Sequence, residues 1–378
     1  MPLLILFIYL FLTCEAGAQT IVNGSFVHGG ITRTYSFYVP ASYNPSRPAP
    51  LVFNLHGLGK DGADQAENRD FRPIADTAGF IVVHPDGSIQ PLIQQRFWNY
   101  GSVAGSTVDD VGFIERIIDT ISAHYTINQK RIYSAGMSNG GFMSYYLACQ
   151  SNRFAAVGSV TGSMSADMYE SCNPSHPTPT IHIHGTSDPL NPYNGNSTSK
   201  SIQAVTQFWV NQNGCTATPV VTRVPNSNTA DNVTADRFVY SGGVNGHTVE
   251  HWRVNGGGHT WPGIKIFTLL GRTCMDFNAG LEMWRFFRQY ELSTATIPAN
   301  PVTATLNIWP NPSSGVITLQ PGDRAVSDII ITDMQGRVRE RRTGSAILRL
   351  DLTHLEPGVY MGQFSGEGFQ EVKKLVIL

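Results

Sequence analysis

Three side chains, Ser138, Asp188 and His259, are of the types that can together turn an alcohol into a nucleophile. An unassisted hydroxyl attacks poorly near neutral pH. It needs a base beside it, and the base needs an acid that fixes its tautomer and stabilises its charged form. Ser138 stands in Gly136-Met137-Ser138-Asn139-Gly140, where small neighbours permit a sharp turn from strand to helix. The pentapeptide alone is weak evidence, because a glycine-rich chain nearly supplies it by chance. Its setting adds weight: the apolar run RIYSAG precedes it and the helical run GGFMSYYLAC follows. Asp188, in TIHIHGTSDPLNPY, falls just past one expected strand, and His259, in VNGGGHTWPG, lies on a glycine-rich loop after another. Both therefore belong to carboxyl ends of strands, where open α/β sheets build their sites.

Acyl transfer also needs donors for the developing oxyanion. The amide of Asn139, next after the serine, is one. The loop VFNLHGLGKDG offers a second, with Gly57 letting the chain turn so that the Leu58 N–H faces the serine. Among rival acids, Asp86 precedes the serine, and Asp276 in CMDFNAG reads as a cap of the following helix. Asp109 and Asp110 read as N-terminal caps of the helical run VGFIERIIDTI. His182 and His184 alternate on one strand and could share a face with Asp188, but no third ligand stands at a telling spacing, so no metal or cofactor is expected. Trp98, Tyr100, Tyr193 and Trp261 lie near strand ends or site motifs, where they could clasp a ring or simply pack. Trp98, Tyr193 and Trp261 are taken as substrate-contact candidates.

The elements that must hold these groups follow from periodicity. Strands are expected in ITRTYSFYVP, PLVFNLHG, FIVVHPDG, RIYSAGM, FAAVGSVTG, TPTIHIHG and VEHWRVNG. Helical periods run from about Ala63 to Ala78, Asp109 to Tyr125, Gly140 to Cys149, Ser199 to Asn213 and Asn278 to Tyr290. LVFNL and FIVV are apolar on both faces, as strands covered by helices on each side require. The pattern is a doubly wound α/β domain over residues 19–292. Residues 293–303, STATIPANPVT, lack periodicity and read as a linker. From 304 to 378 only strand and turn signals remain, predicting a small all-β sandwich.

Composition bounds the setting. The 378 residues include 41% hydrophobic and 14% charged positions with a formal net charge of -2, and no Lys/Arg block marks a nucleic-acid or anionic-membrane surface. Residues 1–18 hold an apolar run ending Ala16-Gly17-Ala18, a secretory signal with its cut before Gln19. No later run is long and apolar enough to span a bilayer, so the mature chain is expected outside the cytoplasm without a transmembrane segment. Four further cysteines, Cys149, Cys172, Cys215 and Cys274, permit three pairings or remain thiols. Pairing neighbours along the chain gives Cys149–Cys172 and Cys215–Cys274.

At this point a resemblance emerges. LHGLG, VDDVGFI, GMSNGGFMSYYLAC, RFAAVGSVTGSM, HIHGTSDPLNPYNG, FWVNQNGC and GGGHTWPG, in order across Ile31 to Tyr290, are similar to the secreted esterases grouped with polyhydroxybutyrate depolymerases and feruloyl esterases. The resemblance implies an α/β-hydrolase fold and carries a triad onto Ser138, Asp188 and His259. WPNPSSGVITL, IIITDMQGRV, LDLTHLEPGVY and KKLVIL resemble the C-terminal sorting domain of type IX secretion. That resemblance implies a partner in the type IX machinery and a secreted or cell-surface location. Together they imply a serine carboxylic-ester hydrolase working through an acyl-enzyme, feruloyl-esterase-like on plant polysaccharide esters. Alternatives are a polyhydroxyalkanoate depolymerase or acetyl xylan esterase. A serine peptidase or an inactive surface-binding protein fits the residues less well.

Overall fold

The computed structural model describes residues 19–101, 103–265, 269–292, 306–320, 325–333, 337–344, 347–366 and 369–378. The expected signal segment, 1–18, and the linker, 293–303, lie outside them. The chain divides into two compact units, Met1–Ser293 and Thr294–Leu378.

The first unit is built on one sheet. Its strands are β1 (Thr20–His28), β2 (Ile31–Val39), β3 (Ala49–Leu55), β4 (Ile81–Pro85), β7 (Ile127–Met137), β8 (Ala156–Val160), β9 (Thr180–Gly185), β10 (Val220–Arg223), β11 (Thr234–Tyr240) and β12 (Val249–Asn255), in the spatial order β1-β2-β4-β3-β7-β8-β9-β12-β11-β10. From β4 to β12 neighbours are parallel; β1 and β2 close one edge and β11 and β10 the other in antiparallel pairing. β5 (Ser88–Gln90) and β6 (Gln95–Phe97) form a separate hairpin. The helices are α1 (Gly62–Asn68), α2 (Arg72–Ala78), α3 (Asp110–Ser122), α4 (Asn139–Gln150), α5 (Ala166–Ser171), α6 (Ile202–Gln212) and α7 (Ala279–Phe287).

The central strands are buried along their length because helices cover both faces. One apolar cluster gathers Phe53, Ile117, Leu147 and Trp209, and a second gathers Val52, Tyr133, Trp284 and Phe287. Alternation along β3 sends Val52 and Phe53 to opposite clusters. The single helical period expected over Ala63 to Ala78 is two helices. Pro73 lacks an N–H and would clash with the carbonyl four residues earlier, so a new helix begins at Arg72. Among the described residues no helix is long and apolar enough to cross a membrane.

The second unit is all-β. A three-stranded sheet holds β13 (Asn307–Trp309), β14 (Val316–Gln320) and β17 (Arg349–Asp351); a four-stranded one holds β15 (Asp328–Asp333), β16 (Val338–Thr343), β18 (Gly358–Gly366) and β19 (Phe369–Ile377). Ile317, Leu350, Ile329, Ile331, Phe364 and Leu375 join both sheets in one core. This is the two-layer arrangement that the strand and turn signals predict.

Candidate active site

β7 runs into α4 through Ser138, whose φ is +54° and ψ -120°. A non-glycine residue held at such angles is strained, and the surrounding backbone must impose them. Here the Ser138 N–H donates to Val160 O at 2.8 Å, while Ser138 O accepts from Gly141 N at 2.8 Å and Phe142 N at 3.0 Å. The flanking glycines are a consequence of close approach: a Cβ on Gly136 would lie 2.2 Å from Gly140 O, and one on Gly140 would lie 2.3 Å from Leu55 O. No larger residue fits either position. Ser138 is half-buried and lines a cleft of ≈ 280 Å³.

The loop after β3 passes beside it. A Cβ on Gly57 would be only 3.5 Å from Ser138 Cβ. Gly59 N donates to Arg96 O at 2.8 Å and Lys60 N to Gly57 O at 3.2 Å. The buried His56 ring pins the same loop, bonding Gly57 O through Nδ1 at 2.8 Å and accepting from Gly87 N at Nε2 at 2.9 Å. Only an Nδ1–H tautomer satisfies both. Burial pushes this imidazole down to about 4. Within the described residues neither the Leu58 N–H nor the Asn139 N–H donates to a protein acceptor. Both residues line the cleft.

Asp188 and His259 meet at the ends of neighbouring strands β9 and β12. His259 Nδ1 is 2.8 Å from Asp188 Oδ2. Asp188 Oδ1 accepts from the Leu190 and Asn191 amides at 2.9 Å each. Burial alone would raise this carboxyl, but hydrogen bonds from His184 and His259 outweigh it and hold the group well below the usual carboxylate range. His259 sits on its glycine run because the loop packs against another chain segment: a Cβ on Gly258 would lie 2.1 Å from Leu270 O, and His259 N donates to that same oxygen at 2.8 Å.

Three expected substrate contacts lie elsewhere than in the cleft that Ser138 lines. Trp98 is fully buried, and its Nε1 donates to His56 O at 3.0 Å, so its ring supports the loop. Trp261 is 3% exposed and packs edge-on against Phe71. Tyr193 spends its hydroxyl on His251 Nε2 at 2.7 Å. None of the three lines the cleft. Its walls are Phe97, Phe142 and Tyr100, the last stacked on Phe142 at 4.8 Å, with Leu92 and Ile93 from the tip of the β5–β6 hairpin. Tyr100 is among the aromatics that the sequence places near the site, whereas the short, turn-rich run from Ser88 to Phe97 carries no periodic signal that points to Leu92, Ile93 or Phe97.

Three further expectations fail. Cys149 and Cys172 are bonded, with Cα atoms 5.0 Å apart, but Cys215 and Cys274 are free thiols. They belong to different apolar clusters; Cys215 Sγ contacts His247 O and Cys274 Sγ contacts Asp276 Oδ2. Asp276 does not cap α7, which is capped by Asn278; it accepts instead from Asn228 N at 2.9 Å. Asp109 does cap α3, whereas Asp110 is a buried ion-pair partner of Arg33 at 2.5 Å and also accepts from Asn99 N at 2.7 Å. That pair anchors the segment carrying Trp98.

A mixed sheet with a strained serine turn between strand and helix, and an acid–imidazole pair at adjacent strand ends, is the architecture of the α/β-hydrolase class. Residues 33–189 match the family described as Esterase PHB depolymerase, and residues 307–378 match the Secretion system C-terminal sorting domain. The chain is 31% identical over 208 residues to "Probable feruloyl esterase C" of Aspergillus oryzae, covering 53% of this chain and 68% of that one. It is 30% identical over 250 residues to "Feruloyl esterase B" of Piromyces equi, covering 61% of this chain and 44% of the relative. The chain spans 36% and 44% of the length of two of the curated relatives it matches. The fold is also that of an acetyl xylan esterase from Aspergillus awamori, with a TM-score of 0.50 at 13% identity over 71% of this chain and 99% of that one. The chain belongs to the esterase family that groups feruloyl esterases with polyhydroxybutyrate depolymerases.

Proposed function

We propose that this protein is a secreted serine carboxylic-ester hydrolase, acting through an acyl-enzyme on feruloyl-type esters of plant polysaccharide. The observation that carries the reading is the 2.8 Å bond between His259 Nδ1 and Asp188 Oδ2, in a fold that strains Ser138 at the mouth of an apolar cleft. Asp188 fixes the His259 tautomer with its hydrogen at Nδ1, leaving Nε2 as the base. His259 takes the Ser138 proton as Oγ bonds to the ester carbonyl carbon, and the Leu58 and Asn139 amides hold the resulting oxyanion. Collapse breaks the bond to the alcohol oxygen, which leaves with the proton from His259. A water then gives its proton to His259 and attacks the acyl carbon; the acid departs and Ser138 Oγ regains the proton.

Tyr100, Phe97 and Phe142 form an aromatic wall suited to a flat phenolic acyl group. An acetyl group would leave that wall uncovered. Polyhydroxyalkanoate hydrolysis is the second reading, favoured by the matched family and by the exposed apolar hairpin tip, Leu92 79% and Ile93 50% exposed. The matched sorting domain supports export through type IX secretion, with the expected signal at 1–18 as the first step. The test offers the purified mature protein methyl ferulate, acetylated xylan and a polyhydroxybutyrate film, beside Ser138→Ala. Release of ferulate by the wild type alone is the expected result; turnover retained in Ser138→Ala would sink the serine mechanism.

A further inference from the structure

Behind the Asp188–His259 pair lies a run of buried side chains that the chemistry above leaves unused. Tyr145 belongs to α4, the helix that Ser138 opens, and His182 and His184 alternate along β9 so that both rings share one face of the sheet. Tyr145 Oη is 2.6 Å from His182 Nδ1, and His182 Nε2 is 3.0 Å from His184 Nδ1. His184 Nε2 is 2.8 Å from Asn191 O and 3.3 Å from Asp188 Oδ2. All three residues are buried.

The last contact sets the direction of the whole run. A carbonyl and a carboxylate only accept, so with the ring uncharged the hydrogen of His184 is on Nε2 and its Nδ1 accepts. His182 must then donate from Nε2 and accept at Nδ1, which makes the Tyr145 hydroxyl the first donor. Burial, with His184 and His251 close by, holds the His182 imidazole well below its ordinary value, as an uncharged relay requires.

We infer that His184, its hydrogen on Nε2 and its Nδ1 accepting in a run that begins at the Tyr145 hydroxyl and passes through His182, is a positioning residue that holds the Asp188 carboxylate in register for His259. The inference rests on the triad reading above. Asp188 Oδ2 is shared between His259 Nδ1 and His184 Nε2, while Asn191, which fixes Oδ1 through its amide, is itself held by His184 at its carbonyl. Asn191 Nδ2 also donates to Thr161 O at 2.6 Å, closing the turn onto the segment after β8. The same run ties the nucleophile's helix to the acid's strand.

The test uses the full chain and two readouts: kcat and KM on methyl ferulate, and the low-field proton resonance of the His259 Nδ1–H bonded to Asp188, which needs no substrate. His184→Ala should lower kcat about 10- to 100-fold, the scale of a hydrogen bond to a charged group, with KM changed less than about twofold, and should move the resonance. His184→Gln, whose side-chain amide can still donate towards Asn191 O and Asp188, should recover most of the loss. Tyr145→Phe removes one hydroxyl and should cost about threefold in kcat while moving the resonance in the same sense. Wild-type kcat with an unmoved resonance in His184→Ala, or a His184→Gln no better than His184→Ala, overturns the inference. If His184→Ala does not fold, Tyr145→Phe decides by the same two readouts. Loss of turnover in Ser138→Ala beside unaffected His184 variants rejects the relay and keeps the triad. Retained turnover in Ser138→Ala rejects the triad, and the resonance still reports whether His184 holds Asp188.

Discussion

Asn139 and Trp98 are joined by two hydrogen bonds: Trp98 N donates to Asn139 Oδ1 at 2.6 Å, and Asn139 Nδ2 donates to Trp98 O at 3.2 Å. The residue next to the candidate nucleophile is thus stitched to the strand-like segment leaving β6, and through the Trp98 indole to the loop that carries Leu58. Both proposed oxyanion donors hang on one buried tryptophan.

Replacing Asn139 with Ala leaves the Trp98 N–H and C=O buried without partners, each costing about 1–3 kcal/mol. The urea midpoint should fall markedly. Trp98→Phe, which removes the indole donor to His56 O and part of a fully buried ring, should lower kcat by roughly threefold to tenfold at little change in KM, because it loosens the loop that carries the proposed oxyanion donor Leu58 while the residues that line the cleft stay in place. Unchanged midpoint and kcat in both variants would contradict this role.

Gly140→Ala should abolish activity or soluble expression. Its Cβ would meet Leu55 O at 2.3 Å and His56 O at 2.6 Å, and both are backbone atoms with no rotamer to escape into. Wild-type turnover from a soluble Gly140→Ala protein would show that the turn is looser than its geometry.

Stability should fall with acid. His56 and His84 are buried and pushed down by that burial to about 4, and His251 to about 3. Folded values below the unfolded one mean that the unfolded state binds more protons in between, so stability rises with pH there. The contribution is fully present above about pH 6.5 and is lost progressively towards pH 4, at roughly 3 kcal/mol for each of the first two rings. Urea unfolding at pH 7, 5.5 and 4.5 should show midpoints falling in that order; a flat profile would reject it.

Thiol counting should find two alkylatable cysteines, Cys215 and Cys274, in the chain from Gln19 onward when it is unfolded without reductant. Breaking Cys149–Cys172 by Ser replacement should cost about 3 kcal/mol for a loop of this length, separation 23. No alkylation at all would mean that the remaining pair is bonded.

The hairpin tip predicts a specificity effect. Leu92→Ser with Ile93→Ser should raise KM for methyl ferulate about fivefold while leaving an acetyl ester little changed, since only the larger acyl group reaches the tip. Equal changes for both esters would remove the hairpin from acyl recognition.

Much of the first unit was legible because its signals are local. The buried strands β3, β4 and β9 are short runs with a glycine at or just after their carboxyl ends, and α3 carries a clear helical period, while α4 is buried on nearly every face. β1 was missed although His28-Gly29-Gly30 turns it back on β2, with both glycines at positive φ; an edge strand with one solvated face has too weak an apolar pattern. The β5–β6 hairpin was missed for the same kind of reason, three residues a side being too short for any period.

The sequence by itself determined the order Ser138, Asp188, His259 and the glycine spacing around each, because strained turns and close backbone contacts restrict residue type at fixed local offsets. It also determined the change of architecture near Ser293, since a run of short strands and turns is written in composition and period. Only the tertiary structure decided which aromatic faces the cleft, which cysteines pair, and that His184, Asp110 and Trp98 stand behind the site. Those outcomes depend on distances between residues far apart in the chain. A Trp on a loop has the same sequence signature whether its indole is bonded to His56 O or open to solvent, and a cysteine carries no mark of the side of the sheet on which it will be buried.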